Sequence, residues 1–211
     1  MKTIDELIAG YHRFQQGYYA DNRERLRKLA TEGQSPLVCV VSCSDSRVDP
    51  IIITDSTPGD MFVIRNVANL VPPHEGGGTR RGTSAALEFA VQGLNVRHII
   101  VLGHAMCGGI RSLVERGPDA PDYEYIGPWM DIAKEARAQV LAREDLPDTD
   151  ARAHACEVAA LGVSLKNLMS FSWVADRVAQ GKLYLHAWHY DIHSGELKRY
   201  EPEDGTLHPL G

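Results

Sequence analysis

Cys43, Asp45 and Arg47 lie within five residues of one another in the run VCVVSCSDSRVDP, Val38 to Pro50, which puts a thiol, a carboxylate and a guanidinium at one point of the chain. A second run, GHAMCGG, adds His104 and Cys107. Two sulfurs and one imidazole nitrogen form a soft donor set that suits zinc and leaves the fourth tetrahedral position for water, substrate or a nearby carboxylate. Such a vacancy points to catalysis. The single cysteine stands 61 residues ahead of the HxxC pair, so the fold, and not a compact local motif, must bring the set together.

Two thiolates and a neutral imidazole bring zinc to roughly zero net charge, so a bound water is less acidified than on three histidines and needs a second group to orient it. Asp45 is the candidate for that group. Arg47 is placed to hold Asp45 in a bidentate ion pair, ionised at neutral pH and off the metal. If that pair opens, the carboxylate becomes a fourth ligand and displaces water.

The elements that must position these residues follow from apolar patterning. Val38, Val40 and Val41 begin a short β-branched run after Pro36, the pattern of a buried parallel strand, which is expected to end near Ser42 with Cys43, Asp45 and Arg47 on the loop beyond it. His98 to Gly103 (HIIVLG) predicts another strand, with His104 and Cys107 directly after it, and open α/β sheets place their chemistry at such carboxyl ends. Met61 to Arg65 reads as a strand, Pro50 to Ile53 as a turn of helix, and Ser84 to Gly93 as a helix feeding the strand before His104. Thr3 and Glu6 form a capping-box pattern for a helix over 4–16, and a charged segment from Asp21 to Ala30 follows, to lie either on the sheet or on a neighbouring subunit. Helices are expected at about 128–143, 150–168 and 171–180, then a hairpin of Leu183–Tyr190 and Glu196–Tyr200. The fold class is therefore α/β, a mostly parallel central sheet flanked by helices and ending in a C-terminal hairpin. One zinc-binding domain is expected over 1–211, divided into an arm (1–33), a core carrying the zinc site (34–116) and C-terminal helices with the hairpin (117–211).

Other candidate residues have plainer readings. Cys39 stands four strand positions, roughly 13 Å at about 3.3 Å per residue, from Cys43, so the two cannot share an ion. Cys39 and Cys156 read as small buried apolar residues. His186 and His189 face opposite ways on a strand and His193 lies beyond a turn, so they do not form a second metal site. The glycine run 76–78 beside Arg80 and Arg81 lacks a P-loop lysine and frame and reads as a loop.

Composition limits the partners. A net charge of −6 from 22 basic and 28 acidic residues offers no footprint for nucleic acid or an anionic membrane, so a small-molecule substrate is expected. No apolar run approaches the roughly 20 residues of a membrane span. The start MKTIDELIAG lacks a secretory h-region, and four cysteines fit a reduced, cytoplasmic chain.

The runs CSDSRVDP, GDMFVIRNVAN, ALEFAVQGL and HIIVLGHAMCGGI, in this order, resemble the β-class carbonic anhydrases, closely over residues 34–115. The resemblance implies that Cys43, His104 and Cys107 bind Zn2+, and that Asp45 and Arg47 are the catalytic dyad of the reversible hydration of carbon dioxide to bicarbonate and a proton by zinc-bound hydroxide. Of the two site types in the family, the bicarbonate-regulated one has a tryptophan and a glycine where this chain has Val40 and Ser42. The open type is closer: its pocket glutamine and phenylalanine match Gln34 and Phe62. Phe89 replaces the usual tyrosine, leaving polar substrate orientation to Gln34 and the Gly108 amide. The resemblance further implies a homodimer or higher homo-oligomer with the site at the subunit interface and the first helices on the neighbour. Phe89 keeps carbonyl sulfide or carbon disulfide in view as substrates. A zinc-dependent or redox-sensing binding protein is the reading from another class, and the intact Asp45 and Arg47 argue against it.

Overall fold

The computed structural model describes residues 2–75, 81–117, 121 and 123–210; the predicted glycine loop 76–78 with Arg80 lies outside them. The chain forms two compact units, Met1–Ser35 and Pro36–Gly211. Their boundary falls at Ser35, so Gln34 groups with the arm and not with the core expected to begin there.

The first unit is helical: α1 Ile4–Gln16, α2 Tyr18–Asp21 and α3 Arg23–Glu32. The predicted capping box forms, with the Glu6 amide donating to Thr3 Oγ1 at 3.2 Å and the Thr3 amide to Glu6 Oε2 at 2.6 Å. Ile4, Leu7, Ile8, Tyr11 and Phe14 of α1 are all exposed.

The second unit is built on a six-stranded sheet: β1 Val38–Cys43, β2 Met61–Asn66, β3 His98–His104, β4 Tyr184–Tyr190, β5 Leu197–Glu201 and β6 Thr206–Pro209. Its order is β2-β1-β3-β4-β5-β6, parallel from β2 to β4 and antiparallel beyond. The helices are α4 Pro50–Ile53, α5 Gly82–Glu88, α6 Gly108–Glu115, α7 Ile126–Met130, α8 Lys134–Leu141, α9 Thr149–Leu168 and α10 Ser172–Ala179. No single helix among the described residues is long and apolar enough to cross a membrane.

The β-branched runs are buried on both faces. Cys39, Val41, Ile99 and Val101 pack with Leu87, Leu161, Leu168 and Val174 on one side, while Val40, Ile100 and Leu102 meet Val48 on the other. Each such leucine contributes about 1.5–3 kcal/mol through its removal from water. Pairing of Ser42 with Leu102 sets the ends of β1 and β3 side by side, and that juxtaposition creates the site.

Three expectations need correction. Cys43 is the last residue of β1, paired with Asn66, and not a loop residue, because the ladder continues one step past the apolar run. The helix over 84–93 changes at Phe89 into a wide turn in which the Leu94 amide donates to the Phe89 carbonyl at 2.9 Å. The C-terminal hairpin gains a third strand, β6, which a half-exposed, proline-ended segment does not announce; Asp204 makes the turn by accepting from the Thr206 amide and hydroxyl at 2.8 and 2.7 Å.

Candidate active site

The sulfurs of Cys43 and Cys107 and a ring nitrogen of His104 lie within 4.8 Å of one another. Each comes from the end of an element: Cys43 closes β1, His104 closes β3, and Cys107 caps the N-terminus of α6. His104 Nδ1 lies 2.9 Å from the Ala105 carbonyl, which fixes the tautomer and leaves Nε2 facing the sulfurs. That Nε2 is buried with no hydrogen-bond partner. A buried imidazole nitrogen without a partner, beside two thiols, is the donor set a tetrahedral N/S cation needs, so the residues fit a zinc-class ion.

The protons these groups hold are already in competition. A hydrogen bond from Cys107, aided by His104 and by the amides of Asp45 and Ala68, pulls the Cys43 thiol well below its ordinary range against the effect of burial. The same bond, together with burial, pushes Cys107 up. By contrast burial alone lifts Cys39 to about 12, and burial with Glu157 beside it lifts Cys156 to about 12, and both are fully buried, as expected of small apolar residues. All four cysteines are free.

Asp45 and Arg47 form the expected pair. Arg47 donates through Nε to Oδ1 at 2.9 Å and through a terminal nitrogen to Oδ2 at 2.7 Å, its own amide adds a bond to Oδ1 at 2.9 Å, and the terminal nitrogen also reaches the Met106 carbonyl at 3.0 Å. The guanidinium holds Asp45 well below the usual carboxylate range. Met106 adopts φ 59°, a left-handed conformation that turns its carbonyl toward Arg47 and ties the β3–α6 loop to the β1 loop.

Two residues that sequence reasoning passed over support this arrangement. Arg65, on β2 beside Ser42, donates to the carbonyls of Cys43, Asp45 and Val48 at 3.0, 2.8 and 2.7 Å and pairs with Asp49 at 3.2 Å, bracing the loop that carries Asp45. Glu157, on α9, is 4% exposed and accepts the Cys107 amide at 2.9 Å. Its signal was an acid inside the apolar helical run ACEVAALG. Close packing of α6 completes the frame: a Cβ at Gly109 would meet Val67 at 3.0 Å and Ala68 at 3.2 Å.

The pocket residues are more dispersed. Phe62 and Phe89 pack on each other with ring centroids 5.8 Å apart, and the β1–β2 register sets Phe62 level with Cys39, not with Cys43. A Cβ at Gly108 would meet nothing within 4 Å, so space is open beside its backbone. Gln34 is exposed in the first unit. His189, expected to be structural, is buried and does not join His186 or His193, as predicted; it lies instead beside His154 and Glu157.

Comparison with known proteins agrees with this geometry. The family model described as carbonic anhydrase matches residues 38–197. The chain is 37% identical over 190 residues to β carbonic anhydrase 5, chloroplastic, of Arabidopsis thaliana, covering 90% of this chain and 62% of that relative's length. It superimposes on the β-carbonic anhydrase CcaA with a TM-score of 0.91 at 31% identity, covering 99% of this chain and 92% of that one. A tetrameric β-carbonic anhydrase of Sordaria macrospora gives a TM-score of 0.79 at 28% identity over 92% of this chain and 95% of its own. Together with the paired strand ends that carry Cys43, His104 and Cys107, these matches establish that the chain belongs to the carbonic anhydrase family, in its β class.

Proposed function

We propose that this protein catalyses the reversible hydration of carbon dioxide to bicarbonate and a proton, with zinc held by Cys43, His104 and Cys107. Zinc in that position supplies a Lewis-acidic centre and an acidified water as nucleophile at neutral pH. The observation that carries the reading is the Asp45–Arg47 pair beside the three soft donors, since a structural ion has no use for an acid held back from it.

Asp45 stays ionised and turned to Arg47, and so accepts a hydrogen bond without ligating. Oδ1 already accepts two bonds from Arg47 and Oδ2 one, so Oδ2 has the lone pair that receives the O–H of the attacking group and aims its oxygen at carbon. The Gly108 amide, next to open space, serves as a donor to a substrate oxygen. Phe62 and Phe89 supply an apolar wall for a linear, nonpolar substrate. The level of Phe62 on the sheet, beside Cys39 and away from Cys43, supports a wall built across two copies of the chain, as does the exposed apolar face of α1. We therefore include a homodimer or larger assembly in the proposal, in the cytoplasm, where four free thiols stay reduced.

Metal analysis and stopped-flow carbon dioxide hydration on one purified sample test the reading. The expected result is about one zinc per chain with rapid hydration, and a loss of about 100-fold or more in kcat for Asp45→Asn with zinc retained. Stoichiometric zinc without hydration between pH 7 and 9 would overturn it.

A further inference from the structure

A second group of metal-ligating side chains lies behind the first. His154 and Glu157 stand three residues apart on one face of α9, and His189 projects from β4, where it pairs in register with Gly103, the residue before His104. Their ligand atoms lie within 4.8 Å of one another. Glu157 Oε2 is 3.3 Å from His154 Nδ1 and 3.5 Å from His189 Nε2, and the two imidazole rings stand nearly perpendicular, 83° apart, with centroids at 5.3 Å.

These distances are long for hydrogen bonds to a carboxylate, which settle at about 2.7–2.9 Å when charge-assisted. They match the edge of a coordination tetrahedron: metal–ligand bonds of about 2.0–2.15 Å imply ligand–ligand separations of about 3.3–3.5 Å. His189 supplies the independent sign. It is 2% exposed, and its Nε2, aimed at Glu157, is a buried polar atom with no hydrogen-bond partner. The His154 side chain is 57% exposed, which gives an ion and a completing water a route in.

We propose that His154 Nδ1, Glu157 Oε2 and His189 Nε2 form a second site for a divalent transition ion of the zinc class. Two imidazoles and a carboxylate are a harder set than two thiolates and an imidazole, and they suit zinc, cobalt or nickel. The site does not depend on the activity proposed above. It meets the first site through one carboxylate: Glu157 Oε1 accepts the Cys107 amide while Oε2 faces the two histidines.

The test titrates Co2+ into holoenzyme carrying one zinc per chain, followed by calorimetry and absorption. The expected result is one further equivalent, with ligand-field bands but without thiolate-to-cobalt charge transfer, which marks the cysteine site. His154→Ala, at an exposed position, should weaken that equivalent at least about tenfold, and His189→Gln likewise. Absence of a second equivalent, appearance of cobalt only with charge-transfer absorption, or unchanged affinity in His154→Ala would overturn the proposal. If His189→Gln does not fold, His154→Ala decides.

Discussion

Cys107 belongs to two clusters at once: its sulfur to Cys43 and His104, its backbone amide to Glu157 with His154 and His189. Each cluster contains a buried imidazole Nε2 with no hydrogen-bond partner, His104 in one and His189 in the other. They differ in where the acid stands. Beside the thiols, Asp45 is held by Arg47 and stands outside the group in which the two sulfurs and the imidazole nitrogen face one another. Among the histidines, Glu157 is itself a donor and its second oxygen is committed to the Cys107 amide.

Cys107→Ala should separate the two most sharply. It deletes a thiolate donor but keeps the amide that Glu157 accepts, so the cysteine site should lose its ion and activity should fall to background, while the helix α9 cluster keeps its geometry. Metal stoichiometry and the thiolate-to-cobalt band read the first effect. Retention of both the band and the activity would mean the ligands are misassigned.

Arg47→Ala comes next in size. Without the guanidinium, Asp45 loses two side-chain hydrogen bonds and is free to turn to the cation, as Glu157 already faces His154 and His189. Turnover should drop by about 100-fold or more with metal content unchanged, since an aligned acid–base group contributes about 10²–10⁴. Unaltered turnover would remove the dyad from the mechanism. Glu157→Gln should do less: the amide oxygen still accepts from Cys107, so the cysteine site should keep its ion and activity within about tenfold. A loss as large as that of Arg47→Ala would show that both acids serve the reaction.

The first cluster was legible in the sequence because its chemistry is written as types at strand ends: Cys43 after a valine run, His104 and Cys107 after an isoleucine run. The pair Asp45–Arg47 was legible for the same reason, being local. The second cluster was not, because His189 is brought to α9 only by the register of β4 on β3, and strand periodicity alone correctly excluded it from His186 and His193. Arg65 was hidden at the end of the apolar run MFVI; its bonds go to three backbone carbonyls that no side-chain pattern advertises. Strand β6 was missed because its four residues, exposed at both ends and closing on proline, carry no alternation strong enough to mark a strand.

Cys39 offers the smallest effect and a control on everything above. It shares β1 and a sheet face with Cys43, yet it is fully buried among Val41, Leu87 and Ile99, and its thiol is pushed up to about 12 where that of Cys43 is pulled down. Four strand positions separate a packing sulfur from one that faces His104 and Cys107. Cys39→Ala should therefore cost only the void it leaves, about 1 kcal/mol, or a fall of about 2–4 °C in Tm for a chain of this size, with metal content and carbon dioxide hydration unchanged. Thermal unfolding and metal analysis on the same preparation check this. A fall in bound metal would mean that Cys39 reaches the ion, which the β1–β3 register forbids.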